Sequence, residues 1–132
     1  MNTNNYAELA EKARRIRINA LKAIHAAKSG HPGGSLSSAD ILATLYFGEL
    51  NIDPKNPKMV DRDKFVLSKG HAVPALYAAL GERDFYEVSE MMTLRQVGSK
   101  FQGHPNMRKV PGIEMSTGSL GQGFSAAVGM AV

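Results

Sequence analysis

Residues 65–80 read FVLSKGHAVPALYAAL, and this stretch decides the fold class that we predict. The apolar run at residues 65–67 is too short for a helix and lies between residues that break regular structure, so it predicts a short buried parallel strand. The segment from Pro74 to Leu80 predicts a helix, and a strand that turns directly into a helix is typical of an α/β fold. His71 follows the predicted strand at its carboxyl end, where open α/β sheets bind their ligands.

The other elements are predicted from periodicity and capping residues. Apolar residues at steps of three and four predict an amphipathic helix over residues 6–28, with Asn5 as its N-cap. A Gly/Ser-rich loop is expected at 30–35, and Ser37 with Asp40 predicts a second helix that ends near Gly48. Further expected elements are an exposed connection at 51–63, a helical stretch at 88–96, a loop at 98–112, a short strand at 113–116 and a helix at 124–132. We therefore expect helices packed on a short, mostly parallel sheet.

The composition excludes several classes of protein. The chain has 132 residues and no cysteine, so disulfide scaffolds and cysteine-ligated metal sites are impossible. No apolar run approaches the roughly 18 residues of a membrane span. The first residues lack the basic-then-apolar order of a secretory signal. These features predict a cytoplasmic protein without a membrane partner.

The formal net charge of +4 suggests an anionic partner. The densest basic cluster is Arg14, Arg15 and Arg17, and Glu8 and Glu11 each precede a basic residue by four positions. This spacing is typical of a solvated helix face, whereas a nucleic-acid surface would interleave aromatic residues with the basic ones. The pattern favours the solvated face and no nucleic-acid partner, and it leaves phosphorylated small molecules as candidate ligands.

Three of the four histidines directly follow a glycine: His31, His71 and His104. Two of these continue as Gly-His-Pro, in which the proline stiffens the loop. Each lies on a predicted loop at the end of an element. The fourth, His25, lies inside the first predicted helix, and we interpret it as a structural or surface residue.

The three loop histidines allow three interpretations. In the first, they are ordinary loop residues that bond nearby carbonyls. In the second, they form a three-histidine zinc site. In the third, they line a polar pocket that binds a hydroxylated, phosphorylated substrate and exchanges protons with it. Separations of 40 and 33 residues, without a clear carboxylate to support a ligand, disfavour zinc.

The segment 118–123 has the order Gly-x-x-Gly-x-Gly, which is neither the dinucleotide fingerprint nor a P-loop. One interpretation is a tight turn that lets the following small-residue helix pack closely. In the second interpretation, the turn also leaves a backbone carbonyl or amide free to bind a cofactor.

Taken together, four segments resemble the amino-terminal part of transketolase in order and approximate spacing. They are SGHPGGS at 29–35, LSKGHA at 67–72, FQGHP at 101–105 and STGSLGQG at 116–123. The form of the glycine-rich segments is most similar to the amino-terminal chain of transketolases that are split into two polypeptides. The resemblance implies that residues 1–132 are the amino-terminal portion of a single, incomplete thiamine-diphosphate-binding domain.

The resemblance also implies a function and a set of site residues. Transketolases transfer a two-carbon ketol unit from a ketose phosphate to an aldose phosphate in the pentose phosphate pathway, using thiamine diphosphate and magnesium. His31, His71 and His104 would be the catalytic histidines. His71, Gly118 and Leu120 would contact the cofactor.

The same resemblance places the magnesium ligands and the glutamate that activates the cofactor outside this chain. The partner would be the remainder of the enzyme or a carboxy-terminal subunit, in a dimer, and we expect the chain alone to be inactive. The alternatives are another thiamine-diphosphate enzyme, such as a deoxyxylulose-phosphate synthase, and a non-catalytic assembly module of the same fold.

Overall fold

The computed structural model describes residues 6–132, and within them the chain forms helices, turns and extended connections. The α-helices of this part are α1 (Tyr6–Ala27), α2 (Pro32–Leu36), α3 (Ala39–Thr44), α4 (Val73–Glu82) and α5 (Gln122–Ala131). A π-helical turn continues α3 (Leu45–Glu49), a 3₁₀ turn leads into α4 (Gly70–Ala72), and a second 3₁₀ helix spans Val88–Thr93.

Helix α4 is the centre of the molecule. All ten of its residues are buried, and its sequence VPALYAALGE is apolar on almost every side, as expected for a helix that other elements surround. Helices α1, α2 and α3 and the 3₁₀ helix at 88–93 all pack against it. The predicted helix at 74–80 is thus confirmed and extends to Glu82.

Helix α1 is confirmed almost to the predicted ends. Its buried face consists of Ala13, Ile16, Ala20 and Ala23. The three alanines among them let α1 lie close to α4, while Leu21, an apolar residue of the same helix, is 41% exposed. The predicted N-cap, Asn5, lies outside the described residues.

The basic cluster on α1 is matched by carboxylates. Arg14 pairs with Glu11 at 2.7 Å, Arg15 pairs with Glu82 at 3.0 Å, and Arg17 pairs with Asp40 of α3. These pairs support the interpretation of the cluster as a solvated helix face. Glu11 precedes Arg15 by four positions but pairs with Arg14, and Arg15 reaches Glu82 of α4.

The loop predicted at 30–35 is wrong in part, because α2 forms inside it. Pro32 occupies the first turn of α2, where its missing N–H costs nothing. The next helix begins at Ala39 after Ser38, one residue later than Ser37 suggested, and its π-helical turn ends at Glu49 near the expected position.

The predicted sheet is not observed among residues 6–132, where neither 65–67 nor 113–116 forms a strand. A strand needs a neighbouring backbone to bond with. Here the carbonyl of Leu67 accepts a hydrogen bond from the Thr117 side chain (Oγ1–O 2.6 Å) rather than from a backbone N–H. The helical part of the predicted fold is therefore confirmed, and the sheet is unconfirmed.

The connection at 51–63 and the loop at 98–112 consist of turns, as predicted. The first is not wholly exposed, since the Arg62 side chain is 19% exposed and forms an ion pair with Glu114 at 2.6 Å, which ties this connection to the segment 113–116. In the described part of the chain, no helix has both the length and the apolar character needed to cross a bilayer.

Candidate functional site

His31 and His71 lie against each other. His31 is the residue before α2, and His71 lies in the 3₁₀ turn before α4. Their ring centroids are 5.0 Å apart and the rings meet edge to face, with an angle of 74° between their planes. Because α2 packs on the turn before α4, two imidazoles far apart in sequence border one surface. His31 is exposed and His71 is half-buried, so both are accessible to a ligand.

His104 lies beside the glycine-rich segment. A Cβ atom added at Gly118 would be 3.8 Å from the His104 ring carbon Cδ2. The backbone of the His104 turn is held by Tyr77 of α4, whose hydroxyl donates to the carbonyls of Gln102 (3.1 Å) and His104 (3.3 Å). Burial raises the pKa of Tyr77 well above its ordinary value, so this hydroxyl stays a donor.

The His71 turn and the His104 region are joined through Gly70. A Cβ atom at Gly70 would lie 2.6 Å from the backbone oxygen of Thr117, a distance that no side chain tolerates. Gly70 precedes His71, and Thr117 precedes Gly118. The three histidine turns are thus connected by direct contacts, with His71 in the middle position.

The tight turn that the sequence suggested at 118–123 is confirmed in its first part, with the Gln122 N–H bonded to the Ser119 carbonyl at 3.2 Å, and Gln122 and Gly123 already belong to α5. A Cβ atom at Gly123 would be 2.8 Å from Cα of Ser68, so the glycine allows α5 to approach the segment before His71. The Ser68 hydroxyl accepts a hydrogen bond from the Phe124 N–H at 3.1 Å. On the other side of the turn, Leu120 is 72% exposed and Gly118 is exposed.

A cleft of about 410 Å³ lies between this turn and the segment 65–69. Its lining is mostly apolar, and among the described residues it contains one charged side chain, that of Lys69, but no carboxylate. The lining residues are Ser38, Ile41, Leu42, Phe65, Leu67, Ser68, Lys69, Leu120 and Gly121. Such a lining suits a ligand that combines apolar rings with an anionic group.

A metal site is not part of this arrangement. Among residues 6–132, no group of three or more histidine, aspartate or glutamate side chains could hold a metal ion. The three-histidine zinc interpretation therefore finds no support in the described geometry. His25 is exposed on α1, as expected for a surface residue.

Sequence reasoning missed two residues that build the site, Tyr77 and Lys69. Tyr77 follows His71 by six positions inside an otherwise apolar helix, and a buried hydroxyl there needs a partner. Lys69 lies inside the segment LSKGHA, but its contacts depend on where α2 packs.

Comparison with known proteins identifies relatives over nearly the whole chain. The family model described as transketolase, thiamine diphosphate binding domain, matches residues 9–132. The 6-deoxy-6-sulfo-D-fructose transketolase subunit SqwG of Clostridium sp. is 50% identical over 95% of this chain and 46% of its own length. An apulose-4-phosphate transketolase subunit of Phocaeicola vulgatus is 44% identical over 95% of this chain and 43% of its own.

The fold comparison agrees with these relatives. The solved structure of transketolase from Leishmania mexicana matches with a TM-score of 0.88 and 38% identity, over 93% of this chain and 18% of the solved chain. The chain therefore spans less than half the length of each of these three proteins.

Proposed function

The chain belongs to the transketolase family, in its thiamine diphosphate-binding domain, and from this we propose that it supplies the histidine-lined part of an active site for ketol transfer. The reaction would move a two-carbon unit from a ketose phosphate to an aldose phosphate. The observation that carries the proposal is the edge-to-face contact between the His31 and His71 rings. His71 lies two positions after Lys69, which lines the cleft together with Leu120 and Gly121.

The residues around the cleft fit thiamine diphosphate. The apolar side chains, with Leu120 exposed at the rim, suit the rings of the cofactor, and among the described lining residues no carboxylate would repel the diphosphate. We propose that His71, Gly118 and Leu120 hold the cofactor. When bound, it supplies the nucleophilic carbon and the electron sink that cleavage of a ketose carbon–carbon bond requires.

The histidines would position the sugar and handle its protons. Imidazole nitrogens donate and accept hydrogen bonds, so His31 and His104 can each bind a substrate hydroxyl and take or return its proton. His71 contacts the His31 ring, and its neighbour Gly70 contacts Thr117, the residue before Gly118, which supports a role for His71 next to both substrate and cofactor.

The complete enzyme would need protein beyond these residues. We propose that a further part of the enzyme or a partner subunit contributes the magnesium ligands and encloses the ligand in a dimer in the cytoplasm. In that assembly, residues 65–67 and 113–116 would become strands of a short parallel sheet. The relatives from Clostridium sp. and Phocaeicola vulgatus are subunits by name, which supports a partner polypeptide.

The relatives also favour ketol transfer over the related alternative. The two subunits and the solved Leishmania mexicana protein are all transketolases or parts of them, which disfavours deoxyxylulose-phosphate synthesis. The other alternative is a non-catalytic assembly module of the same fold. Such a module would tolerate the loss of the His71 side chain, whereas a catalytic site would not.

The test is the variant His71→Ala in the assembled enzyme. We expect kcat/KM for ketol transfer to fall by at least about 100-fold, because a positioned proton-transfer group typically contributes that much. His25→Ala, on the exposed face of α1, is the matched control and should keep wild-type activity within about twofold. A His71→Ala enzyme as active as this control would favour the assembly module.

A further inference from the structure

The orientation of His31 depends on the position of α2, and α2 is too short to be stable without tertiary contacts. It has five residues, two of which are Gly33 and Gly34, and helices this short are unstable by themselves. Within residues 6–132, no side chain caps its amino end. Contacts with the rest of the molecule must therefore set its direction.

Two side-chain contacts tie α2 to the segment that carries His71. The buried hydroxyl of Ser35 bonds the carbonyl of His31 (3.0 Å) and approaches that of Ala72 (3.4 Å). The Lys69 ammonium donates to the carbonyl of Gly34 at 3.0 Å and to the hydroxyl of Ser37 at 3.3 Å. Lys69 thus binds the last turn of α2, where carbonyls lack backbone partners.

Lys69 is half-buried, and within residues 6–132 no carboxylate forms an ion pair with its ammonium. A partly desolvated charge that has only neutral acceptors gains little net stability for the fold. What it does provide is two charge-assisted, directional hydrogen bonds to one turn. Its placement is better explained by the geometry that it imposes than by stabilisation of the fold.

The residue that accepts the bond from Lys69 lies directly against His71. A Cβ atom at Gly34 would be 3.2 Å from Cβ of Ala72 and 3.6 Å from Nε2 of His71. A shift of α2 by a fraction of an ångström would therefore change how the His31 and His71 rings meet.

We propose that Lys69 is a positioning residue: its bond to the Gly34 carbonyl sets α2 so that the His31 ring meets the His71 ring edge to face. Its consequence for catalysis rests on the proposed function. The positioning itself is a property of the fold and can be measured without any substrate.

The test compares Lys69→Met, Lys69→Arg and the control Lys64→Met, whose lysine is exposed and five positions away. Each is made in the full polypeptide and measured in the assembled enzyme. In Lys69→Met we expect the Ser37 and Ser38 amides to exchange with solvent about tenfold faster, since both charge-assisted bonds from Lys69 to this turn are lost. The amides of α1 and α4 should keep wild-type exchange. Lys69→Arg, which retains the charge and donors, should restore most of the protection, and Lys64→Met should match the wild type.

The activity of the same variants gives a second readout. We expect kcat/KM of Lys69→Met to fall by about tenfold, with recovery in Lys69→Arg. If activity falls while exchange at Ser37 and Ser38 is unchanged, Lys69 acts on the ligand directly and the positioning role is overturned. Unchanged exchange and unchanged activity also overturn it.

The two proposals fail separately. If the wild type shows no ketol transfer but Lys69→Met still speeds exchange at α2, the proposed function is wrong and the positioning role stands. If Lys69→Met does not fold, Lys69→Gln takes its place in both measurements, with the same outcomes.

Discussion

Asp40 shows what one surface carboxylate contributes to this molecule. Hydrogen bonds from the Arg17 guanidinium hold the pKa of the Asp40 carboxyl below its ordinary value, and the pair joins α3 to α1. A carboxyl whose pKa is lower in the folded state than in the unfolded state stabilises the fold at pH values above the unfolded pKa. This contribution is lost as the pH falls through the folded pKa. The Asp40 side chain is 70% exposed, so solvent screening limits the contribution to about 0.5 kcal/mol.

We therefore expect Asp40→Asn to lower the free energy of unfolding by about 0.5 kcal/mol at neutral pH. The difference from the wild type should shrink as the pH falls below the ordinary carboxyl pKa near 3.8, and it should disappear only below the lowered pKa of the folded state, where the wild-type carboxyl is protonated as well. Urea unfolding across that pH range measures both. Glu8→Gln, at an exposed position earlier in α1, serves as the control. A difference that grows on acidification would contradict the assignment.

At the scale of the element, α5 contacts the site through its first turn. Gly123 is the buried residue of this helix, and a Cβ there would meet Cα of Ser68 at 2.8 Å. A Cβ at Gly129, later in the same helix, would meet no atom of another described element within 4 Å. Close packing therefore requires glycine at the start of α5, at position 123. It does not require glycine near the end of the helix, at position 129.

This difference predicts opposite effects of the same substitution. Gly123→Ala should lower the free energy of unfolding by about 1–3 kcal/mol, because backbone has to move. Gly129→Ala should raise it by up to about 1 kcal/mol, because alanine is the better helix former. Denaturant unfolding of both variants is the measurement. Effects of the same sign would show that α5 does not pack on Ser68 as described.

At the scale of the whole molecule, the candidate site is open. His31, His104 and Leu120 are all exposed, whereas binding sites for small molecules usually bury most of the ligand. The described residues also hold no cluster that could bind magnesium. A diphosphate without its metal would face mostly solvent here.

We expect that these 132 residues alone bind thiamine diphosphate weakly and do not catalyse ketol transfer. With millimolar cofactor and magnesium, the unfolding temperature of the isolated chain should shift by less than about 1 °C, because stabilisation follows the ratio of ligand to Kd. Thermal unfolding and calorimetric titration test this. Micromolar affinity, or turnover of sugar phosphates, would show that the chain encloses the cofactor without a partner.

The sequence by itself determined the features that depend on neighbouring residues. The periodicity of α1, the apolar run that became α4 and the three Gly-His turns could all be predicted, because each is written in a short stretch of chain. The four segments, in their order, also sufficed to indicate the family.

Only the tertiary structure decided which distant groups meet. Helix α2 forms in a stretch that looks like a loop because it packs against the turn before α4, and residues 65–67 do not become a strand because no described backbone pairs with them. The edge-to-face contact of His31 with His71 and the bond from Lys69 to Gly34 join residues 40 and 35 positions apart. Such contacts follow from how the helices pack around α4, and no local pattern in the sequence encodes that packing.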